Sequence, residues 1–131
     1  MLTTRHYRQI VDRFEEVARA RLGDSRTIPD ICATLAISQR TLARAVRAVR
    51  GTTPARHLHG LALAEARAAL QDPATRSVKQ VALRFGFREL GRFAADYRAA
   101  FGENPSETLR RSSTARLDDD DICAATSGAR Q

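Results

Sequence analysis

Three arginines, Arg40, Arg44 and Arg47, recur three or four residues apart within QRTLARAVRAVR, a spacing that sets them on one face of a helix. Gln39 and Ala43 share that face, while Leu42, Ala45, Val46 and Val49 turn the other way. A guanidinium offers a planar fork of donors that matches phosphate oxygens and the guanine edge bidentately, so this row is equipped to hold a polyanion and to read bases in it. On a lone helix such a stripe is ordinarily a solvated face, and its meaning depends on the element that carries it. The other chemistry-bearing residues are sparse. His57 and His59 are two apart and share no helical face, so no metal site is expected. With His6 they show no spacing that sets them against a nucleophile or a carboxylate, and no Gly-rich phosphate loop is present. The reading is therefore not an enzyme, with no cofactor and no small-molecule site. Of the two cysteines, Cys32 reads as a small core residue and Cys123 lies in a polar stretch, so no disulfide is expected and a reducing cytoplasm fits.

The elements that position these residues are legible from a second stretch, Ser77 to Leu109. Ser77 caps a helix whose apolar face is Val78, Val81, Ala82 and Phe85. Gly86 supplies a turn, and a second amphipathic helix begins near Glu89 with Leu90, Phe93, Ala94, Tyr97 and Phe101 at core-like spacing. Gly102 ends it, and Asn104-Pro105 starts another helix. Helix, glycine turn and second helix make a helix-turn-helix, whose second helix is the one that enters a major groove. The pattern occurs twice. At an offset of 50, Ile31, Cys32, Leu35, Ala36 and Ile37 fall on Val81, Ala82, Phe85, Gly86 and Phe87. After one inserted residue the offset is 51, and Leu42, Val46, Gly51, Pro54 and Leu58 fall on Phe93, Tyr97, Gly102, Pro105 and Leu109. The Gly-x-x-Pro pair and the turn repeat in step with the apolar positions. The arginine stripe thus lies on the second helix of the first copy, capped by Ser38, after a first helix opened by Thr27, Pro29 and Asp30. Ala36, standing where the second copy has glycine, predicts a slightly strained turn.

Around these copies a helix over 5–21 is expected to bury Tyr7, Ile10, Val11, Phe14, Val17, Ala18 and Leu22 and to expose Arg5, Arg8, Asp12, Arg13, Glu15, Glu16 and Arg19. A longer helix from Thr53-Pro54 to about Gln71 mixes Ala62, Ala66 and Ala69 with Leu58, Leu61 and Leu70, suited to bridging two subdomains over roughly 26 Å. The formal charge is +7, and the last fifteen residues hold four Asp and one Arg, so the folded body is near +10. So basic a body favours a polyanionic partner. Nearly every basic residue is arginine, Lys79 being the one lysine. No stretch approaches ~20 apolar residues, so no membrane association is expected, and the N-terminus has no signal-peptide pattern.

GTTPARHL with LALAEARAAL, followed by VALRFGFRELGRFAADYRAAFGENPSETLRR, resembles the AraC/XylS family of bacterial transcription regulators over about Arg5 to Arg111. The resemblance implies an all-α fold of about seven helices, two helix-turn-helix subdomains joined by a central linker helix. Its divisions are a scaffold helix in 1–26, the first helix-turn-helix in 27–53, linker helix and loop in 54–76, the second helix-turn-helix in 77–111 and a disordered tail in 112–131. The function implied is sequence-specific binding of double-stranded DNA in transcription regulation, with an activator's role, two recognition helices in successive major grooves and RNA polymerase as a further partner. A linker of roughly 26 Å against a groove repeat of ~34 Å suggests bent DNA or a weakly bound second half. Carried over position by position, the DNA-binding residues are Gln39, Arg40, Ala43, Arg44 and Arg47 in the first copy and Arg88, Leu90, Gly91, Arg92, Ala94 and Ala95 in the second. Leu90, Gly91, Ala94 and Ala95 donate no side-chain hydrogen bond, so apolar contact with thymine methyls is what they offer; Arg88, Arg92 and Arg98 are placed to hold phosphates. The family often has Arg where Ala95 and Ala62 stand, which puts polar base reading by the second copy in doubt. Family members usually carry a separate sensing or dimerisation domain; this sequence is compatible with a fragment or a stand-alone protein. The alternative is a protein-interaction module of the same fold that antagonises a full-length relative, favoured by the apolar second helix and the acidic tail.

Overall fold

The computed structural model describes residues 3–22 and 28–113. Within them it has seven helices and no strand: α1 (Thr4–Ala20), α2 (Ile28–Leu35), α3 (Gln39–Arg50), α4 (Pro54–Leu70), α5 (Val78–Arg84), α6 (Leu90–Phe101) and α7 (residues 105–113). The all-α class and the helix number agree with the sequence reading. α7 runs two residues past the boundary expected at 111. The rest of the expected tail, Cys123 and the expected Thr27 cap lie outside the described residues.

The chain forms two compact units: the described parts of Met1–Glu65 with Arg84–Gly86, and of Ala66–Leu83 with Phe87–Gln131. The division falls inside α4, whose 17 residues give the expected length of about 26 Å.

In the first unit α1 packs on α3 and α2. Its stripe repeats every three to four residues, and Thr3 opens it by accepting from the His6 N–H. Val11, Phe14 and Ala18 meet Ile31, Cys32 and Leu35 of α2, Leu42, Ala45 and Val46 of α3, and Leu61 of α4. Burial pushes the Cys32 thiol up, consistent with a core residue rather than a reactive one. One residue departs from the expected stripe: Glu15, placed on the solvent side by its spacing, is only 7% exposed. In the second unit Phe93 and Tyr97 are buried, and Phe87, Phe93, Tyr97 and Phe101 stack in series with centroids 4.6, 5.7 and 4.7 Å apart. Arg67 lies over the Phe101 ring, 4.8 Å from its centroid.

The sequence repeat reappears in the backbone. Ile37 N–H donates to Cys32 C=O at 3.1 Å, and fifty residues on Phe87 N–H donates to Ala82 C=O at 2.8 Å. Gly51 and Gly102 both adopt left-handed conformations and close α3 and α6, their N–H groups reaching Arg47 and Arg98. Ala36 has φ 60° where its counterpart Gly86 has φ 91°. The expected strain at Ala36 is thus present, since a Cβ in that region crowds the following carbonyl. Ala36→Gly is expected to raise stability by about 0.5–1 kcal/mol, the relief of that crowding less the entropy a glycine loses on folding. Urea unfolding of A36G beside the parent checks it; an unchanged or lower midpoint would contradict the strain.

Candidate nucleic-acid interface

α3 begins where Ser38 accepts from the Thr41 N–H at 3.1 Å, and its apolar positions Leu42, Ala45 and Val46 are fully buried. That burial fixes which face is left over. Gln39, Arg40, Ala43, Arg44 and Arg47 are all exposed along it, as their spacing predicts. Among the described residues the side chains of Arg40 and Arg44 make no hydrogen bond or ion pair, and that of Arg47 reaches only the Gly51 carbonyl, at 3.4 Å. Arg40 and Arg44 thus keep their donors for an outside acceptor.

α6 is built differently. Glu89 stands at its N-cap and makes no side-chain capping bond. Leu90, 41% exposed, leaves the core-like stripe assigned to it and joins the outward face. Gly91 and Ala95 are exposed beside it, Ala94 is half-buried, and a Cβ at Gly91 would meet nothing within 4 Å. Arg88, Arg92 and Arg98 are exposed. The outward face of α6 therefore offers apolar surface flanked by cations, where α3 offers the cations themselves.

Two polar clusters, neither legible from spacing, hold the helices that follow. In the first unit Glu15 accepts from Arg50 at 2.9 and 3.2 Å, and its Oε2 lies 2.6 Å from Nε2 of His57. This corrects two expectations, that Glu15 is exposed and that no histidine faces a carboxylate. The partners lie 35 and 42 residues from Glu15 in sequence. In the second unit Thr108, which aligns with His57 in the repeat, gives its hydroxyl proton to Glu103, so the Tyr97 hydroxyl donates to Thr108 at 2.8 Å. Arg111 also donates to Glu103. Each cluster ties the helix after the Gly-x-x-Pro turn to a carboxylate, one on α1 and one in the turn itself. Beside the second cluster, Glu107 accepts from the Asn104 N–H at 2.9 Å, the reciprocal half of a capping box that N-P-S-E spells out.

Burial alone would raise the Glu15 carboxyl, but the His57 hydrogen bond and the Arg50 guanidinium more than offset it and hold it below the usual carboxylate range. Glu103 is lowered by Thr108 and Arg111. Burial pushes the Tyr97 phenol up. A carboxyl whose folded-state pKa is depressed adds stability that is complete above its unfolded value and lost as pH falls through the folded one. Stability is therefore expected to fall as pH drops through the range in which glutamates protonate, with a shallower fall in Glu15→Gln. Urea midpoints between about pH 6 and about pH 3 check this, and parallel curves for parent and variant would contradict it.

No helix of the described residues is long and apolar enough to cross a membrane. Among known proteins, a family described as a helix-turn-helix domain matches residues 31–111. The XylDLEGF operon transcriptional activator of Pseudomonas putida is 46% identical over 77 residues, which cover 57% of this chain and 24% of that activator. This chain thus spans about a quarter of that relative's length. A solved structure of a probable AraC family transcriptional regulator from Rhodopseudomonas palustris is 39% identical, covers 79% of this chain and 97% of its own, and superposes with a TM-score of 0.70. A transcriptional regulator from Chromobacterium violaceum, of the AraC-type DNA-binding domain-containing proteins, is 26% identical with a TM-score of 0.75, covering 80% of this chain and 93% of its own.

Proposed function

Because this chain belongs to the AraC/XylS family of helix-turn-helix transcription regulators, we propose that it binds double-stranded DNA sequence-specifically, with α3 and α6 as recognition helices in successive major grooves. The observation that carries this is the arginine face of α3, exposed on the second helix of a helix-turn-helix and, among the described residues, without side-chain partners at Arg40 and Arg44. Arg40 and Arg44, with Gln39, present donors for guanine and adenine edges, Ala43 permits close approach, and Arg47 holds a phosphate. On α6, Leu90, Gly91, Ala94 and Ala95 meet thymine methyls, while Arg88 and Arg92 hold the backbone. Polar sequence reading lies mostly in the first copy. By analogy with the Pseudomonas activator the chain serves transcriptional activation, which makes RNA polymerase a further partner and the bacterial cytoplasm its place of action.

Chemical interference on a bound duplex tests this division. Methylation at guanine N7 is expected to block binding within the half-site facing α3, and uracil in place of thymine to weaken the half facing α6. Interference confined to phosphates would contradict base reading by either helix. The exposed Leu90 and its small neighbours also favour a second reading, a protein-interaction module that antagonises a longer relative. That reading takes over if the chain binds no duplex at low salt.

A further inference from the structure

We infer that Glu15 is a positioning residue for base reading, a carboxylate on the scaffold helix that fixes the rotation of α3 about its own axis. The inference rests on the DNA-binding reading of α3. Its support is geometric. The Glu15 side chain is 9% exposed and takes both forks of Arg50, the last residue of α3, at 2.9 and 3.2 Å. The same carboxylate lies 2.6 Å from His57 in the first turn of α4. One buried acceptor therefore holds the exit of α3 and the entry of the next helix.

The apolar packing of α3 cannot do this alone. Its buried contacts are Leu42, Ala45 and Val46, small or aliphatic groups whose attraction has little directional preference. A bidentate guanidinium–carboxylate pair is directional in distance and plane. The requirement at the other end of the lever is strict. Base reading needs the donor fork within ~0.5 Å of its place, and a rotation of about 10° moves a tip roughly 8 Å from the helix axis by more than 1 Å. Among the described residues Arg40 and Arg44 have no side-chain partner to orient them, so their aim depends on the orientation of the helix. Arg50 is bound to Glu15 while its side chain remains 43% exposed. The pair therefore uses the last arginine of α3 to hold Arg40 and Arg44 in place.

A double-mutant cycle separates positioning from simple stability. Dissociation constants are measured for the parent, E15Q, R44A and E15Q/R44A, on a selected duplex and on a scrambled one, at a temperature where circular dichroism shows each variant folded. E15Q is expected to weaken the selected duplex about tenfold and the scrambled one less than twofold, because phosphate contacts tolerate a small rotation. In the R44A background the E15Q effect should shrink below about twofold, since the group being aimed is gone. Additive effects, or equal weakening on both duplexes, would overturn the inference. Should E15Q fail to fold, R50Q breaks the same pair from its exposed side and carries the same cycle. If R44A itself leaves base preference unchanged, it is the base-reading role of α3 that fails, an outcome distinct from additivity.

Discussion

Arg44→Ala is expected to weaken binding to the selected duplex by about 1–3 kcal/mol, roughly five- to 150-fold, and to relax preference at one base pair. Arg44 sits near the middle of α3 on the face the core leaves free, exposed and without a side-chain partner among the described residues. Removing it breaks no hydrogen bond or ion pair among the described residues, so stability should change by less than ~0.5 kcal/mol. The loss then belongs to the DNA complex. A guanidinium that spans two acceptors on one guanine distinguishes that base from the other three, whereas one that touches a phosphate does not. Selection of binding sites with R44A beside the parent is the direct reading. A relaxed preference at one position, with the others kept, agrees with base contact. An unchanged consensus with weaker binding and a flatter salt dependence would move Arg44 to the phosphate backbone.

The largest effect on stability is expected from Phe93→Ala. Phe93 is 1% exposed and lies between Phe87 and Tyr97 in the aromatic series of the second unit, 4.6 and 5.7 Å away by centroid. Truncating a buried phenylalanine costs about 3–5 kcal/mol through lost transfer energy and the cavity left behind. Few aromatic residues are available to refill that space, since the whole chain has five Phe, two Tyr and no Trp. A cost of that size approaches the whole stability of a small unit, typically ~5 kcal/mol or little more. F93A is therefore expected to melt the second unit while the first, with its own cluster around Val11, Phe14 and Leu42, stays folded. Two-dimensional amide spectra check this. Signals of α5 to α7 should collapse toward unfolded positions while those of α1 to α3 persist. Uniform loss in both units would show that they fold as one cooperative body. In footprinting, F93A should keep protection over one half-site and lose it over the other.

The repeat was the most informative feature of the sequence because it states the same structural requirement twice. Gly51 and Gly102 had to be left-handed helix ends, since each precedes a proline that opens the next helix, and both are. Ser38 and Ser77 were recognisable as caps because their hydroxyls are the right length to reach the opening N–H groups, and they accept from Thr41 and Gln80. The outward face of α3 followed from where Leu42, Ala45 and Val46 must go.

Glu15 was not legible, because helical periodicity ranks positions by hydrophobicity and a glutamate counts toward solvent. Its burial depends on Arg50 and His57, and nothing local in the sequence announces a partner so far along the chain. Leu90 misled in the opposite sense. Its type and its spacing to Phe93 and Tyr97 assigned it to the core, whereas the family resemblance set it on the outward face; it stands in the first turn of α6 and is 41% exposed. Thr108 shows the same limit at close range. A polar residue of the last helix, it is 1% exposed and links Tyr97 to Glu103.

The most direct test of sequence-specific binding is selection of the chain's targets from a random duplex pool, with sequencing, repeated across a salt series. An enriched asymmetric site is expected, with polar base preferences concentrated in one half, thymine preferences in the other, and affinity that falls steeply with salt. Salt-sensitive binding with no enriched sequence, or no binding at low salt, would contradict the assignment of α3 as a base-reading helix.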